Sequence, residues 1–287
     1  MDPTLQDFLE ATEGHSRVIN FCTQPNWLFK QQKPHVYPDN ATYTDWGYAI
    51  GTEFVDDTMT ALGDYYGRLM AWYTRGGFID EYGRKHTSGY EYKWDYTEIF
   101  NEVDMEHSMN VEYYTRAYDA VIQGIRRHTN NYDMKYVGMV LGCKSSLIEW
   151  HHSHKMFSRL DHNEFDWYRY FLNHSNHAPN IPLDFIAYHF YALAENRTDP
   201  KDWESFFPQF DKFTFEVRQI EEIRKSLSPE TRTTIDELGV ILPDDNSPTA
   251  PQFPLVYWNA ASALYAYAWV KLSRQGIDVI AHSQLVG

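Results

Sequence analysis

Two acids occupy equivalent places in this chain. Glu102 closes the run YTEIFNE, and Glu237 stands near the end of TTIDELG, each after aromatic and β-branched residues. Runs of that kind read as buried strands, so a terminal acid is delivered to whatever lies beyond the sheet. Two carboxylates facing across a cleft suit the cleavage of an acetal. One protonates the leaving oxygen while the other attacks or stabilises the carbon. Their surroundings must then push their proton affinities apart. Asn101 precedes the first acid and Asp236 the second, while His189, Phe190 and Tyr191 end a third strand-like run between them. Strand alternation would point Asp236 outward if Glu237 points inward.

The elements that must position these groups follow from periodicity. Strand candidates are RVINFCTQ (17–24), YTEIFNE (96–102), KYVGMVLGC (135–143), DFIAYHFYA (184–192), TTIDELG (233–239) and DVIAHSQLV (278–286). Short and mostly apolar, they suit strands covered on both faces. Between 109 and 129, apolar residues recur at Val111, Tyr114, Ala117, Tyr118, Val121, Ile122 and Ile125, a helical stripe. Segments 56–73, 165–173, 213–227 and 256–274 also read as helices, and 80–93 as a loop. Strands alternating with helices predict parallel β/α units. Polar residues collect at the C-terminal ends of several strands: Asn101 and Glu102, His189 and Tyr191, Asp236 and Glu237, His282 and Gln284. A barrel brings such ends to one mouth, whereas an open sheet spreads them along a line. No Gly-rich phosphate loop follows the first strand, which removes the usual nucleotide reading of an open sheet. The expectation is an α/β fold of the (β/α)8 TIM-barrel type, a single catalytic domain over 1–287.

The acid pair and its strand order resemble clan A of the (β/α)8 retaining glycoside hydrolases, with acids on strands four and seven. Within it the chain is most similar to glycoside hydrolase family 39, which includes β-xylosidases and α-iduronidases. That family's strand-four W-N-E-P motif corresponds to Phe100-Asn101-Glu102-Val103, so only the Asn-Glu centre matches. Its strand-six H-x-Y pattern corresponds to His189-Phe190-Tyr191. The resemblance implies Glu102 as acid/base, Asn101 as partner of a sugar 2-hydroxyl and Glu237 as nucleophile of a double displacement. Tyr191 or His189 would hold the nucleophile's carboxylate. It also implies an oligosaccharide or glycoside substrate and no cofactor. On this alignment the chain supplies strands three to eight, with strands one and two missing. The expectation is therefore a truncated barrel that on its own lacks activity. The alternative is a catalytically inactive glycan-binding barrel, which would keep the rings and lose an acid; both acids are present.

Composition narrows the rest. A formal charge of −15 with no basic cluster beyond pairs such as Arg126-Arg127 argues against nucleic acid. Aromatics are plentiful, with 9 Trp, 22 Tyr and 17 Phe, and flat apolar faces suit the C–H faces of sugars. Trp27, Trp150 and Tyr191 are candidate platforms with core packing as the equal alternative, and His282 is a further candidate contact. The uncharged run 253–270 approaches membrane-spanning length, but Asn259, Ser262 and the following Lys271 and Arg274 favour a buried helix over membrane insertion. Cys22 and Cys143, in strand-like runs, are expected to be buried thiols. His151, His152 and His154 cannot all face one ion from a regular element, so no metal site is expected. Sequons at Asn40, Asn173 and Asn196 would suit a secreted or lysosomal-type protein whose full-length form carries a signal peptide; none is visible in MDPTLQDFLE.

Overall fold

The computed structural model describes residues 2–20, 22, 24–31, 36, 39, 51–130, 132–142, 164–245 and 251–283. In chain order the elements are α1 (Asp2–Ala11), β1 (Val18–Asn20), α2 (Thr60–Thr74), β2 (Gly77–Ile79), β3 (Lys85–Thr87), β4 (Tyr96–Glu98) and α3 (Val111–Thr129). There follow β5 (Lys135–Leu141), α4 (Glu164–Phe171), β6 (Phe185–Tyr188), β7 (Phe190–Leu193), α5 (Phe206–Leu227), β8 (Arg232–Ile235), β9 (Leu238–Ile241), α6 (Leu255–Gln275) and β10 (Val279–Ile280).

The stripe expected over 109–129 becomes α3, and its ends are chemically marked. The Asn110 side chain accepts the Tyr113 N–H, Glu112 lies in the first turn, and Arg126, Arg127 and His128 lie in the last. Asn130 terminates the helix in the left-handed conformation. Ile122 and Ile125 on its inner face are fully buried, each worth roughly 1.5–3 kcal/mol of burial. Helices α2 and α3 touch backbone to backbone at Gly63 and Gly124. A Cβ on either glycine would overlap the other helix's main chain.

Six parallel strands, ordered β1-β4-β5-β6-β8-β10, curl into a half-barrel with the helices outside. Alternation along β4 sends Thr97 and Ile99 toward the helices and Tyr96 and Glu98 into the curl. Ile99 joins the large core shared with the helices, while Tyr96 packs on a small inner cluster of Val137, Val140, Phe185 and Ala187.

Where polar chemistry was expected, the strands are interrupted. The run 96–102 is a strand only to Glu98, and Phe100 and Glu102 adopt positive φ of 71° and 40°. The 135–141 strand shifts register between Gly138 and Leu141, with Met139 and Val140 also at positive φ. His189 separates β6 from β7, and Asp236-Glu237 separates β8 from β9. Ala187 pairs with Thr234 but Phe190 pairs with Leu238, so one extra residue is accommodated on the β8–β9 side. That bulge overturns the simple alternation expected for 233–239 and turns Asp236 inward together with Glu237.

Four further expectations are corrected. Segment 80–93 contains β3, which pairs antiparallel with β2, rather than being loop throughout. Cys22 is exposed because β1 ends at Asn20; Cys143 lies outside the described residues. Helix α6 buries only one face, leaving Leu255, Trp258 and Val270 exposed, and no described helix is long and apolar enough to cross a membrane. Among the described residues the last strand covers only Val279–Ile280.

Candidate active site

Glu102 is held by its backbone. Its N–H donates to Val140 O (2.8 Å), and its carbonyl accepts from the N–H groups of Met105 and Glu106, both at 2.7 Å. Phe100, fully buried among Phe54, Tyr66 and Tyr114, anchors the preceding turn. The loop that follows is tied to β5 by Asp104, whose carboxylate accepts the Gly142 N–H at 3.0 Å. Gly142 leaves room for the Met105 side chain: a Cβ there would meet its sulfur, which would have to move, and would stand 3.4 Å from the Glu102 carboxyl carbon.

His189 is the hub of the site. It is 1% exposed, and its Nδ1 lies 2.9 Å from Glu102 Oε1 and 3.5 Å from Glu237 Oε2. Its Nε2 lies 3.5 Å from Asp236 Oδ1. One ligand-type atom from each of Glu102, His189 and Glu237 falls within 4.8 Å of the others. Burial pulls the imidazole toward neutrality, but Asp236 and Glu102, with the charge of Glu237, more than offset it and hold His189 well above its ordinary range. A ring held in this way, hydrogen-bonded to Glu102 and within ion-pair distance of Glu237, is suited to holding a proton between the two acids.

Tyr191 donates its hydroxyl to Glu237 Oε2 and is hydrogen-bonded to Ser283 Oγ at 2.7 Å. Burial raises the Glu237 carboxyl above its ordinary value, and the His189 charge and Tyr191 hydrogen bond pull against it. Asn101 does not stand free at the mouth. Its Nδ2 donates to Glu106 Oε1 at 3.0 Å. Burial, reinforced by the charges of Glu102 and Glu237, pushes Glu106 up to about 7 despite that hydrogen bond.

Of the residues singled out in the sequence, Asn101, Glu102, His189, Tyr191 and Glu237 are brought together. Trp27 is 60% exposed in a short turn, with its ring edge-on to Tyr65, so it is not a core residue. His282 is exposed, its ring centroid 5.4 Å from that of Tyr265. Its neighbour Ser283 is the residue that reaches the carboxylate cluster through Tyr191. Trp150, Gln284, and the triplet His151, His152 and His154 lie outside the described residues. Sequence reasoning missed Glu106 and Ser283 and set Asp236 aside. For Glu106 a signal existed, since an acid four residues beyond Glu102 returns to the same side once the strand ends in a helical turn.

No protein-family model matches this chain, and no curated protein matches it in sequence. Solved structures do. The GH51 arabinofuranosidase from Xanthomonas axonopodis pv. citri is similar at TM-score 0.54 and 12% identity, over 81% of this chain and 45% of that one. A BuGH86 variant solved in complex with neoagarooctaose is similar at TM-score 0.54 and 13% identity, over 98% of this chain and 42% of that one. The chain thus spans less than half the length of either. At such identities the likeness is one of fold alone: the neighbours are glycoside hydrolases, and this chain shares with them a curled, TIM-barrel-type arrangement of parallel strands.

Proposed function

We propose that the chain carries the catalytic centre of a glycoside hydrolase that cleaves O-glycosidic bonds with retention. Glu102 is the acid/base and Glu237 the nucleophile. The observation that carries this reading is the approach of Glu102 and Glu237 within one 4.8 Å cluster around His189. Retaining enzymes hold their two carboxyl groups about 5–5.5 Å apart, whereas inverting ones leave about 6.5–9.5 Å for a water. An ionised nucleophile is favoured by donors, and Glu237 has Tyr191 and the cationic His189. The burial of His189, with Glu102 and Glu237 half-buried around it, strengthens these interactions. Among retaining families, the Asn101-Glu102 pair and the His189-Phe190-Tyr191 run favour a relation to family 39. Asn101 would exchange its Glu106 contact for a sugar hydroxyl, and exposed Trp27 is available as a platform.

A second reading is favoured by Glu106. Pushed up to about 7, it keeps a proton near neutral pH, which a general acid needs, while Glu102 accepts from His189. Glu106 would then deliver the proton and Glu102 would orient His189.

A panel of 2-deoxy-2-fluoro aryl glycosides tests the nucleophile, with intact-mass and peptide mass spectrometry as readout. Covalent glycosylation on Glu237, abolished in Glu237→Ala, is expected. Labelling at another residue would refute the assignment. Azide rescue of slow aryl-glycoside turnover in Glu102→Ala but not in Glu106→Ala selects the first reading; the converse selects the second.

A further inference from the structure

Beneath the two acids lies a carboxyl pair that the mechanism above does not use. Glu98 sits on β4 and Asp236 at the β8–β9 break. Strands β5 and β6 separate β4 from β8 in the sheet, and the Glu98 and Asp236 carboxyls nonetheless lie within hydrogen-bonding reach of each other. Glu98 is 8% exposed, and the Asn20 amide donates to its Oε2 at 2.7 Å. Both oxygens of Asp236 are buried, and the donor nearest them on its own chain segment is the Asp236 backbone N–H, which is not well aligned. What faces them is the Glu98 carboxyl and His189 Nε2 at 3.5 Å. Two ionised carboxylates in a buried contact repel each other; one proton between them turns the repulsion into a hydrogen bond.

We propose that Glu98 and Asp236 share a single proton, carried by Glu98, and that the anionic Asp236 so maintained holds His189 as an imidazolium between Glu102 and Glu237. Glu98 is thus a positioning residue, acting through Asp236 and His189 without touching the reacting atoms. The proton affinities agree in direction. Burial, and then the charge of Asp236, raise Glu98 well above its ordinary range. Asp236 is buried too, yet the Glu98 hydrogen bond and His189 hold it below. The charged and titratable groups facing His189 are Glu102 and Glu106 from the loop after β4, Glu98 from β4, and Asp236 and Glu237 from the bulge. Glu98 itself faces Asn20, Asp236, His189 and Tyr114. The importance of this pair for turnover rests on the proposed function; its existence does not.

The test follows the His189 proton directly, so an inactive chain leaves it informative. The whole chain is labelled with 15N-histidine, the His189 signals are assigned by their loss in His189→Gln, and ring nitrogen shifts are followed against pH. Glu98→Gln carries a permanent amide donor in place of the shared proton and should leave the His189 titration where it is. Asp236→Asn removes the anion and should lower the His189 midpoint by at least about one pH unit, a tenfold change in proton affinity. A Glu98→Gln shift as large as that of Asp236→Asn would mean that Glu98 is ionised and overturn the proposal. So would an unmoved midpoint in Asp236→Asn. Both substitutions preserve side-chain shape, and circular dichroism verifies that each variant is folded.

Discussion

Replacing Glu106 by glutamine should make the protein more stable in a pH-dependent way. Glu106 rises from an ordinary value of 4.5 to about 7, chiefly through burial beside Glu102 and Glu237. Its folded-state proton affinity therefore exceeds the unfolded one. The resulting stabilisation is fully present below about pH 4.5 and is lost as the pH climbs through about 7, where the folded protein must carry the buried charge. At about 1.4 kcal/mol per pH unit, that loss amounts to about 3 kcal/mol. In Glu106→Gln the new side chain carries no charge, and its carbonyl can still accept from Asn101. The variant should match the parent in stability near pH 4.5 and exceed it by about 3 kcal/mol at pH 8, roughly 5–10 °C in Tm for a chain of this size. Thermal unfolding followed by circular dichroism at half-unit pH steps, in constant salt, measures the difference. A Tm gap that stays flat between pH 4.5 and 8 would refute the reasoning, because it would mean that Glu106 is ordinary in the folded state. The measurement requires no substrate, so it stands apart from any question of specificity.

Tyr191→Phe removes a donor to Glu237 worth about 1.5–3 kcal/mol for a charged acceptor. Because that hydrogen bond lowers the Glu237 proton affinity, the acid limb of the kcat/KM profile should move upward by about 1–2 pH units; an unmoved limb argues against an ionised Glu237 in catalysis. Gly142→Ala should displace Met105 and the loop bearing Glu102, lowering kcat roughly 10–100-fold while Tm changes little, and parental kinetics would show that the loop is not held from that side. Gly124→Ala should force α2 and α3 apart at Gly63 and cost at least about 1–3 kcal/mol, read as a lower Tm; an unchanged Tm would mean that the helices can slide past one another freely.

The strands and helices were legible because their signals are local. The stripe on α3 required burial of one helical face, and short apolar β-favouring runs marked where every strand of the main sheet begins, though not where each ends. Asn101, Glu102, His189, Tyr191 and Glu237 were singled out for the same reason, as polar residues at the ends of apolar runs, and the fold brings them together. Asp236 escaped because alternation holds only in an unbroken strand, and the one-residue bulge opposite His189 depends on how two distant segments pair. Glu106 escaped because its approach to Glu102 depends on positive-φ turns anchored by Phe100 among rings from other elements. Ser283 was passed over for His282, since the short final strand left nothing to decide which of the neighbours reaches Tyr191.

Periodicity and residue type by themselves determined that this chain would build parallel β/α units and place two acids at strand ends. Both facts are written in nearest neighbours and in which residues must leave water. Tertiary structure alone decided that Glu98 and Asp236 are buried together, that His189 stands among carboxylates and how closely Glu102 approaches Glu237. Those properties depend on burial and on charges a few ångströms away, contributed by residues that are remote in the chain.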